Sequence, residues 1–250
     1  MGSCILEKIF VNINGTAQGM FINGKNIDNP ILLFIHGGPG MPEYPLTEKY
    51  PTSMDECFTV CWWEQRGASL SFNKNISFNE ISVEQLVLDA IEVTNYLRGR
   101  FRQDKIFMMG HSFGSLIGLK TIKNAPELYH AYVGMAQISN QLISEQIAYT
   151  YMIEQYKIKE NKRMIKKMEK YNILTTNNVP IEYVKFRDKP MHEWGIGTMH
   201  NMKSVISGVF FPIMKFSGYT FLEKLNLWKS KSLLLKKNQF MGNNDAKQLV

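Results

Sequence analysis

The sequence predicts an α/β fold: a mostly parallel sheet covered by helices on both faces, with a helical insertion late in the chain. Three observations predict it. The apolar runs at residues 31–35, 57–63, 106–109 and 131–136 are continuous rather than alternating, as strands buried on both faces are. Amphipathic helical patterns fall between the later runs, the order a parallel sheet requires. From Ser139 to about Trp228 the alternation stops, leaving helical stretches and Met- and aromatic-rich loops without a buried strand run.

Each element follows from local chemistry. Phe10-Val11-Asn12-Ile13 and Gly19-Met20-Phe21-Ile22 flank Asn14-Gly15, a hairpin turn pair, and Asn23-Gly24 repeats the turn signal. Ile31-Leu32-Leu33-Phe34-Ile35 and the run 57–63 are the next strands. Ser82 with Gln85 three residues on is a capping box. It starts a helix with Leu86, Ala90, Val93, Leu97 and Phe101 on one stripe. Ile106-Phe107-Met108-Met109 is a short strand ending at Gly110, and a helix runs from Phe113 to about Lys123. Residues 131–136 form one more buried strand, 143–170 read as helical, and Asn177-Asn178-Val179-Pro180 breaks that pattern.

Composition excludes several classes of function. An apolar fraction of 44% excludes a disordered chain. Three cysteines cannot build a disulfide framework, and Cys57 and Cys61 lack the neighbours of a zinc site, so neither metal nor other cofactor is expected. The start of the chain lacks a signal-peptide pattern, Leu6 breaks the myristoylation pattern, and no apolar stretch approaches a membrane span. A cytoplasmic protein with no membrane partner is expected. The net charge of +7 is uneven: residues 1–156 carry −4 and the 94 that follow carry +11. Lys162, Arg163, Lys166, Lys167 and Lys170 surround Met164, Ile165 and Met168 at helical spacing, the solvated face of a helix. No recognition motif accompanies that charge, so nucleic acid is not an expected partner.

Three motifs carry chemistry. Gly110-His111-Ser112-Phe113-Gly114 is a G-x-S-x-G pattern between a strand and a helix. It sets Ser112 on a strained turn as a nucleophile, while the Phe113 N–H faces any oxyanion that forms. His36-Gly37-Gly38-Pro39-Gly40 follows the strand 31–35, and Gly37 and Gly38 can supply a second N–H to that oxyanion. His36 reads as a brace of this loop rather than a base. The third motif is Trp62-Trp63-Glu64-Gln65-Arg66-Gly67-Ala68-Ser69.

In this order and at these separations, HGGPG, W-x-Q-R-G-x-S and GHSFG resemble the proline iminopeptidase branch of the α/β-hydrolase fold. The resemblance is specific over residues 5–138 and weaker over 139–230. It implies acyl transfer from a small peptide, amide or ester to water, with Ser112 attacking and Gly38 and Phe113 holding the oxyanion. It also implies a hydrolase core over 1–138, a helical lid over 139–230, and the start of a C-terminal core segment over 231–250. Arg66 is expected to brace HGGPG through hydrogen bonds to carbonyls. Glu64 stands where the family more often has Asp. Acidic lid residues in aminopeptidase members receive the substrate's amino group, which makes Glu193 a candidate, or else a solvated loop glutamate. Trp194, with Met199, Phe210, Phe211 and Met214, suits an apolar substrate side chain or forms the lid's own core.

The triad runs out at this point. The fold orders it Ser, acid, His, and after Ser112 only His130, His192 and His200 remain. Asp245 is the only late aspartate, and no histidine follows it. It is the candidate acid on a chain expected to stop short of the last strands. The alternative is a truncated or degenerate relative that does not turn over. The sequence does not indicate an oligomeric state.

Overall fold

A computed structural model describes residues 2–74, 81–197, 202 and 204–236 of the chain. Asp245, Met199 and His200, singled out from the sequence, lie outside the described residues.

Among the described residues, six strands form one sheet: β1 (Ile5–Ile13), β2 (Thr16–Gly24), β3 (Ile31–Ile35), β4 (Thr59–Trp63), β5 (Ile106–His111) and β6 (Tyr129–Met135), in spatial order β1-β2-β4-β3-β5-β6. The first pair is an antiparallel hairpin, with Asn14 and Gly15 at its turn at φ 46° and 78°. β2 also pairs antiparallel to β4, whereas β4, β3, β5 and β6 run parallel. Every residue of β3 and β4 is buried, as their continuous apolar runs require. Two expectations are corrected. Asn23-Gly24 makes no turn, because β2 continues through Gly24 to pair with Ile5. β6 is a strand but is not buried: Val133 and Met135 are 49% and 43% exposed, since only β5 pairs with it among the described residues.

The helices are α1 (Met54–Cys57), α2 (Val83–Phe101), α3 (Phe113–Asn124), α4 (Gln141–Ile158), α5 (Lys162–Lys170), α6 (Ile181–Trp194), α7 (Phe211–Lys215) and α8 (Phe221–Lys236), with one π turn at Ile206–Phe210. Ser82 caps α2, its hydroxyl accepting from the Gln85 N–H at 3.1 Å. Leu86, Ala90, Val93 and Leu97 are buried along the expected stripe. The helical stretch 143–170 is two helices, because Asn161 caps a new one by accepting from the Met164 N–H at 3.1 Å.

The chain divides into two compact units. The first holds the sheet, α2, α3 and the described residues from Pro212 onward. Residues 212–230, assigned to the lid from the sequence, therefore belong with the sheet, and 231–236 continue α8. In that unit Leu227, Ser230 and Leu234 are buried, and the Ser230 hydroxyl accepts from the Ser69 N–H at 3.3 Å. The second unit, Ser139–Phe211, has its own core. Tyr149, Met152, Tyr156, Met164, Met168 and Tyr183 pack there. Met164 and Met168 face inward, which leaves the α5 lysines to solvent. No helix among the described residues is long and apolar enough to cross a membrane.

Candidate active site

The site is built where β3 and β5 end side by side, with Ile35 in register with Gly110. Ser112 sits between β5 and α3 at φ 50°, ψ −119°, a conformation L-residues rarely adopt and one that costs of order 1–3 kcal/mol. The surroundings enforce it. The Ser112 N–H bonds to the Met135 carbonyl at 2.9 Å, and its own carbonyl accepts from the Ser115 N–H at 2.9 Å and hydroxyl at 2.6 Å. The two glycines of the motif allow the turn to close. A Cβ on Gly110 would lie 2.6 Å from the Gly114 carbonyl oxygen, and one on Gly114 would run into the carbonyls of Ile35 and His36. Phe113 opens α3 and is buried.

The loop after β3 wraps over this elbow. Gly38 takes φ 127°, open to glycine and strained for other residues. Its N–H makes no hydrogen bond among the described residues. The Gly37 N–H is already committed, donating to Glu43 Oε1 at 3.1 Å. Of the two candidate donors, Gly38 is the one left available. An added Cβ on Gly40 would come 2.7 Å from Leu234, so α8 packs directly on this loop.

His36 braces the loop. Its buried ring bonds through Nδ1 to the Gly37 carbonyl at 2.8 Å and accepts the Gln65 N–H at Nε2, 3.1 Å away. Burial pushes its pKa down, so the neutral tautomer with the proton on Nδ1 satisfies both contacts. Gln65 completes the brace, its side-chain amide donating to the His36 carbonyl at 2.7 Å.

Arg66 acts elsewhere, which corrects its expected partner. Its guanidinium grips Asp89 on α2 with two hydrogen bonds, 2.7 and 2.8 Å long, and reaches the Asn14 carbonyl at 3.2 Å. Asp89 also accepts from Asn14, Gln18 and Gln85, each at 2.9 Å. Arg66 thus locks the β1–β2 hairpin to α2, and Gln65 does the bracing assigned to it.

Glu64 is buried at the end of β4. Its carboxylate accepts from the Tyr219 hydroxyl and, at 2.7 Å, from the Leu70 N–H. Burial still pushes its pKa up to about 7.

Sequence reasoning missed Glu43. Its Oε1 is 2.6 Å from His111 Nδ1, in the residue before Ser112. That contact spans 68 positions, and no local pattern signals it.

Glu193 and Trp194 lie on α6 in the second unit. The Tyr156 hydroxyl donates to Glu193 Oε2 at 2.7 Å, and the Trp194 ring meets Tyr156 edge-on at 5.4 Å. Trp194 packs against that unit's own core. Glu193 shares a surface cavity with Arg163, Lys167 and Lys189. The same unit buries an unexpected ion pair, Glu145 with Arg187. No histidine among the described residues is hydrogen-bonded to Ser112, and no cluster of metal ligands occurs among them.

A mostly parallel sheet with a nucleophile-type elbow after β5 and a glycine loop after β3 defines the α/β-hydrolase fold. The chain belongs to the serine aminopeptidase family S33, whose pattern matches residues 54–178. It is 37% identical over 153 residues to the probable aminopeptidase YbaC of Bacillus subtilis (strain 168), covering 61% of this chain and 47% of YbaC. The chain thus spans about half the length of that relative. Among solved structures, the proline iminopeptidase-related protein TTHA1809 from Thermus thermophilus superposes with a TM-score of 0.50 at 17% identity, covering 93% of this chain and 87% of that one. That likeness carries the fold alone.

Proposed function

We propose that the chain is a serine hydrolase that transfers an acyl group from a small peptide, or a related amide or ester, to water, as an aminopeptidase of the proline iminopeptidase type. The observation that carries this is the Ser112 turn, a strained non-glycine residue held between a strand end and a helix start. Strain of that kind persists where the surrounding structure enforces it for a function. Ser112 Oγ attacks the carbonyl carbon, and the N–H groups of Gly38 and Phe113 receive the developing oxyanion. The proton lost from the Ser112 hydroxyl ends on the leaving group, which departs as the free amine or alcohol, and water then releases the acyl group and restores the hydroxyl. Family membership and the aminopeptidase name of the relative support the peptide reading. Asp245 is the proposed acid of the triad. Glu193, held by Tyr156, is the proposed receiver of the substrate's amino group. Free Cys4, Cys57 and Cys61 suit the reducing, cytoplasmic compartment proposed for it.

The test is hydrolysis of prolyl and other aminoacyl arylamides against short-chain esters, with Ser112→Ala as the blank. Faster turnover of the arylamides, lost in Ser112→Ala and raised in KM by Glu193→Ala, is expected. Ester hydrolysis alone would remove the aminopeptidase assignment.

A further inference from the structure

We propose that Glu43 is a positioning residue of this acyl-transfer site, clamping the oxyanion loop to the nucleophile elbow through a single carboxylate oxygen. The proposal rests on Ser112 as the nucleophile. The two halves of such a site come from different strands. The loop after β3 carries the Gly38 N–H, while Ser112 and Phe113 follow β5. Attack and oxyanion capture must act on one carbonyl group, and a shift of about 1 Å between nucleophile and hole is enough to cost on the order of a hundredfold in rate. Main-chain pairing between Ile35 and Gly110 aligns the strand ends, but it stops before Gly38, whose amide has to be aimed.

Glu43 supplies what the sheet does not. Its Oε1 accepts the Gly37 N–H at 3.1 Å and meets His111 Nδ1 at 2.6 Å, so one atom holds the residue before Gly38 and the residue before Ser112. The fit is close: a Cβ on Gly37 would lie 3.1 Å from His111 Nδ1 and 3.2 Å from Glu43 Oε1. Occupying the Gly37 N–H fixes the peptide preceding Gly38, whose own N–H stays unbonded among the described residues. A carboxylate oxygen can accept from two donors, and its charge strengthens both bonds. The second oxygen, Oε2, is buried and makes no hydrogen bond among the described residues. The carboxylate also raises the His111 pKa by accepting its hydrogen bond. Among the described residues, the buried His36 that follows β3 also faces the pair, with burial lowering its pKa.

The experiment measures the second-order rate of Ser112 acylation by a fluorophosphonate, and kcat and KM for p-nitrophenyl acetate, in wild type, Glu43→Ala and Glu43→Gln. The NMR signal of the His111 Nδ1 proton is followed alongside. Glu43→Ala is expected to slow acylation by about 10- to 100-fold, with the loss in kcat and KM nearly unchanged, and to lose the downfield Nδ1 proton. Glu43→Gln keeps an oxygen for both donors and is expected to stay within about threefold of wild type. Wild-type rates in a folded Glu43→Ala variant would overturn the clamp while leaving Ser112 as nucleophile. Equal damage in both variants, without loss of folding, would show that the bridging oxygen is not what matters and would also overturn it. If the wild type is not labelled, the nucleophile assignment fails first, and the positioning role fails with it.

Discussion

At the scale of single residues, the groups flanking the site are set by what burial does to charge. Glu64 shows this most clearly. It is fully buried and accepts from Tyr219 and Leu70, yet desolvation outweighs those bonds and its pKa rises to about 7. A carboxyl raised above its unfolded value contributes stability that is complete below the ordinary glutamate range. That contribution fades as pH rises through about 7. Urea unfolding should therefore show this term being lost between about pH 4.5 and pH 7, by roughly 3 kcal/mol. Glu64→Gln, which cannot ionise, should lack that slope. A wild-type profile parallel to that of the variant would show that folding leaves the Glu64 pKa unchanged, and would contradict the raised value.

At the scale of elements, glycine placement decides how closely helices approach strands. Gly114 lets the first turn of α3 lie against the β3 end, where a Cβ would strike the Ile35 and His36 carbonyls, neither of which can move without moving the sheet. Gly99, on the exposed side of α2, has nothing within 4 Å of its added Cβ. One substitution should therefore have opposite signs at the two places. Gly114→Ala should lower stability by at least ~2 kcal/mol through overpacking. Gly99→Ala should raise it by about 0.5–1 kcal/mol through helix propensity. Thermal or urea midpoints of the two variants measure both, and a neutral Gly114→Ala would contradict the close approach. This elbow was legible in the sequence because its constraint is local: apolar strand, G-x-S-x-G, amphipathic helix. The buried runs of β3 and β4 were legible for the same reason. The Arg66 partner was not, because its carboxylate stands 23 positions away on α2. A signal for it did exist. Asp89 lies three residues after Leu86 on the stripe that α2 buries, and an acid on an apolar stripe demands a cation. Glu43 left no comparable mark, since a glutamate after a glycine loop has an ordinary composition.

At the scale of the whole molecule, the sequence separated a strand-rich part from a helical part but misplaced the return of the chain. Residues 212–230 read as lid because their apolar positions form no strand. In the structure residues 212–236 pack with the sheet, putting Leu234 against Gly40 and Tyr219 against Glu64. Helical periodicity alone does not say which core a helix joins, and only the long-range contacts settle it. Part of the basic excess of the back part, Lys162, Arg163, Lys166, Lys167 and Lys170, lies on the exposed face of α5, over Met164 and Met168. Ser112 remains the centre of the functional assignment. The most direct test is to treat the folded chain with a fluorophosphonate and locate the adduct by peptide mass spectrometry. A single adduct on Ser112, absent from Ser112→Ala, is the expected result. A folded chain with no adduct, or with its adduct on another residue, would contradict the assignment.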